Sequence, residues 1–306
     1  MTIAAVALLN SGLAAQPISP YQELGAYEAL WNREGTSFKS LAELFKTRIN
    51  AIPSDFVTYE EARKFADKTI GLLGKGGVKK FGIRVHGAEE YPERLRDAWY
   101  PIELLYYQGW WDLVNHPRLV AVVGTRNPSE EGVKRTRKLV NLLVKDNYGI
   151  VSGLAKGVDT VAHETVIKAD GFTIAVVGTP LNSIYPQENA DLQRYIADKY
   201  LLISQIPVCR YSQQTYKGNR LFFPERNITM SALTGATIIV EAGETSGTLT
   251  QARAAIAQGR KLFILDSCFQ NSALTWPRRF EEQGAIRVRD YDDIRKHLES
   301  AAPSEN

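Results

Sequence analysis

VAVVGTRNPSEEG, residues 120–132, runs from an apolar stretch through a glycine-led turn into the opening of a helix. Such a junction is where α/β proteins hold phosphates, because backbone N–H groups and the positive end of the helix dipole converge there. The same pattern repeats outward from it. Short β-branched runs stand at 119–124, 149–153, 173–178, 201–204, 236–243 and 261–265. Between them KRTRKLVNLLV, VDTVAHETVIKA, NADLQRYIADK and TLTQARAAIAQG carry helical spacing, and FEEQGAIRVRDYDDIRKHLES reads as one more strand and helix. Apolar strands alternating with helices predict an α/β fold, a mostly parallel sheet covered by helices on both faces. Ligands of such sheets lie beyond the carboxyl ends of the strands.

Residues 1–80 predict a small helical N-terminal domain, with YQELGAYEALW, SFKSLAELFKTRI and TYEEARKFADKTIGLLG repeating apolar residues at three- and four-residue steps. Ser37 and Thr58 are the expected N-caps, and GKGG (74–77) closes the segment as a joint. Residues 81–118 read as a bridge rich in aromatics. Trp99, Trp110 and Trp111 are there either to pack the joint or to stack bases, and packing is the expectation. The α/β domain takes 119–300.

Composition excludes more than it selects. Lys plus Arg number 37 against 34 for Asp plus Glu, so a nucleic-acid reading must rest on local clustering rather than net charge. Two distant cysteines, Cys209 and Cys268, predict neither a disulfide framework nor a zinc site. AAVALLNSGLAAQ lacks a preceding cation and is expected to be a first helix rather than a signal peptide. No run reaches the ~18 apolar residues of a membrane span, so a soluble, cytoplasmic protein is expected.

Four strand-end segments carry the candidate chemistry. Gly124-Thr125-Arg126 has no second and third glycine in dinucleotide spacing, and no P-loop follows, so no nucleotide cofactor is expected. Arg126 can grip a phosphate, whereas Glu130 and Glu131 already complement the dipole of the following helix. In IVSGLAKGVDTVAHETVI (150–167), Gly153, Lys156 and Gly157 form an anion-cradling loop and Asp159 is a candidate cap. Asp159 and His163, four apart, are read as a buried helix-stabilising pair. RYSQQTYKGNRLFFPERN (210–227) sets Arg210, Lys217, Arg220 and Arg226 among Tyr211, Tyr216, Phe222 and Phe223 in a basic, aromatic loop suited to single-stranded nucleic acid. Ser246-Gly247-Thr248 precedes a helix, and its hydroxyls can cap that helix, face an anion, or both.

Taken in order, Gly124-Thr125-Arg126, SGLAKGVDTVAH (152–163), TIAVVG (173–178), Tyr185-Pro186-Gln187-Glu188-Asn189, FPERN (223–227) and EAGETSGTL (241–249) resemble the motifs of the DprA/Smf family of DNA-processing proteins. The resemblance implies an extended Rossmann-like fold and single-stranded DNA binding without catalysis. It also implies a homodimer that helps load a RecA-type recombinase during natural transformation. By that resemblance Arg126, Lys156, Arg226 and Asn227 line the DNA site, with Lys217 and Arg220 as neighbours and Gly124, Thr125, Gly153, Phe223, Ser246, Gly247 and Thr248 supplied by the same motifs. The chain departs from the family at Ile228, at Ser204-Gln205 and at Asp266-Ser267, where a proline-glycine is usual. The chain ends near Asn306, so the winged-helix tail found in many members of the family is not expected here. Two other readings share the broad fold: a sensor of a small nucleotide, and a nucleotide phosphoribohydrolase. The hydrolase is disfavoured because Gln251 stands where its glutamate is needed.

Overall fold

The structure, a computed structural model, describes residues 18–299 except 89, 97 and 99. The first-helix expectation at AAVALLNSGLAAQ and the residue Trp99 therefore lie outside the described residues. The chain divides into two compact units. One comprises Met1–Gln108, Gly178–Ser183 and Ile203–Phe222; the other comprises Gly109–Val177, Ile184–Leu202 and Phe223–Asn306.

The first unit opens with α1 (Pro20–Asn32), α2 (Phe38–Phe45) and α3 (Tyr59–Lys75). Ser19 caps α1 ahead of Pro20, whose missing N–H is no loss in a first turn. Ser37 and Thr58 cap α2 and α3 as expected, their hydroxyls accepting from the N–H groups of Ser40 and Glu61. Trp31, Phe38 and Phe222 meet edge to face in the core of this unit. The bridging segment contains two strands that the sequence did not reveal. β1 (Gly82–Val85) pairs antiparallel with β2 (Leu104–Gly109), Ile83 opposite Tyr106. No hairpin turn joins them, so the short-range pairing signal is missing.

A fully buried carboxylate organises this unit. Glu28 of α1 accepts from the Tyr106 hydroxyl at 2.5 Å and from the N–H groups of Val208 and Cys209 at 2.6 and 2.9 Å. It thereby satisfies the first turn of the short helix Val208–Gln213. Burial pushes its carboxyl upward, and these three donors pull it back.

The second unit is built on β3 (Leu119–Val123), β4 (Gly149–Ser152), β5 (Thr173–Val177), β7 (Ala236–Ile239), β8 (Lys261–Leu265) and β9 (Ile286–Val288), with β6 (Leu201–Ser204) between β5 and β7 in the chain. These six run in the order β5-β4-β3-β7-β8-β9, and every pair is parallel. Residues of both parities are buried along β3, so both faces are covered. On one face Val120, Val122, Ile238 and Phe263 pack with Leu139 and Val140 of α4 (Glu130–Lys145) and with Val158 and Val166 of α5 (Val158–Lys168). On the other, Gln251 of the helix Thr248–Ala257 donates to the Thr237 hydroxyl of β7. The last helix, Tyr291–Glu299, closes the first of these faces through Ile294. Among the described residues no helix is long and apolar enough to cross a membrane.

Glu28→Ala strands three donors at once and should destabilise the protein by about 3 kcal/mol, read as a lowered denaturation midpoint.

Candidate nucleic-acid interface

Within the second unit, hydrogen bonds tie the strand-end motifs into one floor. The Thr125 N–H donates to the Glu241 carbonyl at 2.7 Å, and the Val158 N–H donates to the Thr125 carbonyl at 3.2 Å. The Thr248 hydroxyl donates to the Gly124 carbonyl at 3.1 Å, and the Asn227 amide to the Gly247 carbonyl at 3.2 Å. Gly157 holds the second loop against the first turn. Its φ is +80°, and a Cβ there would stand 2.4 Å from the Thr125 carbonyl oxygen, so no other residue fits.

Arg226 sits beneath this floor rather than on it. It is 5% exposed and donates to the carbonyls of Gly153 and, at 2.6 Å, Val176, and to the Asn227 side chain at 2.9 Å. Gly153 leaves room for it, since a Cβ there would fall 2.3 Å from the guanidinium. Burial lowers the Arg226 pKa to about 10, against the opposing charge of Asp159, so it is charged at neutral pH. Asp159 is buried too, and its carboxyl is raised by that burial despite Arg226.

Asp159 and His163 do not pair with each other. Asp159 lies inside the first turn of α5, not at its cap, and accepts from the N–H groups of Gly153 and Ala155 at 3.2 and 3.4 Å. His163 Nδ1 is 2.8 Å from the Thr173 hydroxyl, which donates to the Ile150 carbonyl. That hydroxyl must therefore accept, which places the imidazole proton on Nδ1. Each residue found a better partner across the loop or sheet than along the helix.

The exposed face is different. Arg126 is exposed, its guanidinium 6.0 Å from the ring centroid of Tyr185, and Tyr185 meets Phe223 at 5.3 Å. Lys156 is exposed and ion-paired with Glu188. Thr248 is buried and spends its hydroxyl on Gly124, while Ser246 donates to Thr248 and accepts from the Thr248 N–H; the cap position itself falls on Gly247. The N-terminus of α4 is filled by the protein's own carboxylate. Glu241 accepts from the N–H and hydroxyl of Ser129 at 3.0 and 2.8 Å, with Arg135 3.5 Å away. Trp111 is buried, and Trp110 is 63% exposed.

The segment 210–227 is not an open loop. It is helical at Val208–Gln213, Tyr216–Asn219 and Phe222–Leu233, with Phe222 buried and Phe223 half-buried. Apolar anchoring of Phe222 against Tyr211 and Trp31 draws the chain into turns that a charge count does not show. Lys217 and Arg220 belong to the first unit; both are exposed, Arg220 lying 5.9 Å from the Tyr216 ring. Tyr185 and Glu241 also stand at these strand ends, where their sequence motifs alone assigned them no individual role. An aromatic beside a proline in the segment that follows β5 was the available signal for Tyr185; Glu241 had none beyond its motif.

These features define a Rossmann-like α/β protein whose strand ends present one open arginine beside two packed aromatic rings. The sequence model of the family described as DNA recombination-mediator protein A matches residues 82–299. The chain is 32% identical over 211 residues to the DNA processing protein DprA of Bacillus subtilis, covering 69% of each chain. It is 34% identical over 209 residues to that of Streptococcus pneumoniae, covering 68% of this chain and 71% of the other. The crystal structure of the Streptococcus pneumoniae protein superposes with a TM-score of 0.65 at 28% identity, covering 97% of this chain and 98% of that one. A structure of DNA processing protein A from Helicobacter pylori, reported for its single-stranded DNA binding mode, gives a TM-score of 0.62 at 28% identity and covers 72% and 96%. The chain belongs to the DprA/Smf family of DNA-processing proteins.

Two stability predictions follow from the buried groups. Arg226→Met leaves two carbonyls and the Asp159 charge unpaired and should destabilise by about 3–5 kcal/mol in chemical denaturation. Burial lowers His163 from 6.5 to about 3, so the unfolded chain takes up a proton below pH 6.5 that the folded chain refuses. Its contribution to stability is therefore complete above 6.5 and falls as pH drops toward 3, by up to about 1.4 kcal/mol per pH unit. Denaturation midpoints of His163→Gln should show a shallower loss between pH 6.5 and 5 than the parent chain.

Proposed function

We propose that this chain binds single-stranded DNA, without sequence preference, across the carboxyl ends of β3 and β4. Arg126 contacts the phosphate backbone while Tyr185 and Phe223 offer faces for bases. The observation that carries the reading is the cluster of Arg126, Tyr185 and Phe223 on a floor that is otherwise internally satisfied. A cation that tracks the backbone beside aromatic faces is what sequence-tolerant single-strand binding needs. Lys156 adds a second cation whose surface pair with Glu188 is weak enough to exchange for phosphate. The relative from Helicobacter pylori, reported for its single-stranded DNA binding mode, supports the same reading.

Arg226 and Asn227 serve this surface from below, by fixing the loops that carry it. Nothing in this reading calls for catalysis. Gln251, at the position a hydrolase would need acidic, is buried and bonded to Thr237. Family membership supports the wider parts of the reading: a homodimer acting in the cytoplasm, and transfer of the bound strand to a RecA-type recombinase.

The test is binding of a labelled oligonucleotide across a salt series. Log affinity should fall with log salt by about 0.7 per phosphate neutralised, and Arg126→Ala should flatten the slope by about that amount with no change in melting temperature. Tyr185→Ala and Phe223→Ala should each weaken binding about tenfold. Equal affinity for duplex and single strand, or an Arg126→Ala variant that binds as tightly, would contradict the proposal. Release of free base from nucleoside monophosphates would contradict its non-catalytic part.

A further inference from the structure

Lys156 and Glu188 are 32 residues apart in sequence, yet the fold delivers them to each other. Glu188 lies in the short turn Gln187–Asn189 that follows Tyr185 and Pro186. The buried side chain of Asn189 fastens this turn to the SGLAKG loop and the first turn of α5. Its amide donates to the Leu154 carbonyl and to the Thr160 hydroxyl, each at 2.9 Å. Thr160 in turn donates to the Ala155 carbonyl at 2.7 Å. The acid is therefore set beside Lys156 by the backbone rather than by the ion pair itself.

This acid differs from Glu241, the other carboxylate at these strand ends. Glu241 accepts twice from Ser129, and a Cβ on Gly132 would collide with its Oε2, so it fills its seat tightly. Glu188 accepts from Lys156, and its side chain stays 62% exposed against 51% for the lysine. The hydrogen bond from Lys156, with a smaller contribution from its own N–H, holds the Glu188 carboxyl below the ordinary range, so it is charged at neutral pH. The segment 185–189 thus offers a ring to Arg126 and a carboxylate to Lys156. A solvent-exposed pair of this kind is weak enough for another oxyanion to take the ammonium.

We propose that Glu188 is an intramolecular competitor for the DNA phosphate at Lys156. This role rests on single-stranded DNA binding at these strand ends. An arriving phosphate takes the ammonium from Glu188. The carboxylate, kept within reach by Asn189, retakes it whenever that phosphate lets go, because a tethered group acts at high effective concentration. Competition inside a contact lowers affinity by speeding release, whereas an acid that only repels the strand from a distance slows its approach. Glu188 thereby keeps the bound strand exchangeable.

The test is stopped-flow anisotropy of the full chain with a fluorescein-labelled oligothymidine. Glu188→Gln should bind about two- to fivefold more tightly, with the gain in a slower dissociation rate. Its melting temperature should match the parent's, because Asn189 keeps the turn in place. Lys156→Ala should weaken binding and flatten the slope of log affinity against log salt by about 0.7. In the Lys156→Ala background, Glu188→Gln should leave affinity unchanged, since the group it competes for is gone. Unchanged or weakened affinity in Glu188→Gln, beside an Arg126→Ala variant that does lose affinity, overturns the proposal and leaves the strand-end site standing. A gain that survives in the Lys156→Ala background, or one carried by faster association, assigns Glu188 to general repulsion and equally overturns it. Failure of the parent chain to bind the oligonucleotide removes the strand-end site itself, and the competitor with it.

Discussion

A buried guanidinium is the constraint on which the second unit's site depends. Arg226 crosses from the start of the helix Phe222–Leu233 to the carbonyls at the ends of two neighbouring strands, Gly153 after β4 and Val176 in β5. Strand ends in a parallel sheet expose carbonyls that no helix can satisfy, and five N–H donors in one rigid plane meet several of them together. A charge in that position needs an opposite charge nearby. Asp159 supplies it while also receiving two loop N–H groups. The SGLAKG loop therefore takes its shape from Arg226, and Gly157 presses that loop onto the Thr125 carbonyl below Arg126.

The consequence is a division of labour between two arginines that sequence alone treats alike. Arg226 is charged, buried and spent; Arg126 is charged, open and set beside a ring. Removing the first should disturb the fold, and removing the second should disturb only what approaches from solvent. The α4 N-terminus, the obvious anion seat in a Rossmann-like turn, is filled by Glu241, which leaves Arg126 as the anion-seeking group of that turn.

Much of this was legible from residues. Each strand from β3 to β8 lies on a short β-branched run, because strands buried on both faces must be apolar throughout. Ser37 and Thr58 cap their helices because the same short hydroxyl that marks a boundary makes the hydrogen bond. What was not legible depends on contacts distant in sequence. β1 and β2 find each other without a turn, Phe222 draws a charged stretch into helix, and Asp159 and His163 each trade a helical neighbour for a partner across the loop or sheet. Tyr185 gains its meaning only when β5 and the FPERN helix bring it to Arg126 and Phe223.

The most direct measurement is the set of arginine Nε–H resonances in a ¹⁵N-labelled sample titrated with a short single-stranded oligonucleotide. The Arg126 resonance should move in proportion to saturation, while that of Arg226, held by Asn227 at 2.9 Å, should stay in place. An Arg126 resonance that does not respond, or an Arg226 resonance that moves as far, would contradict the account.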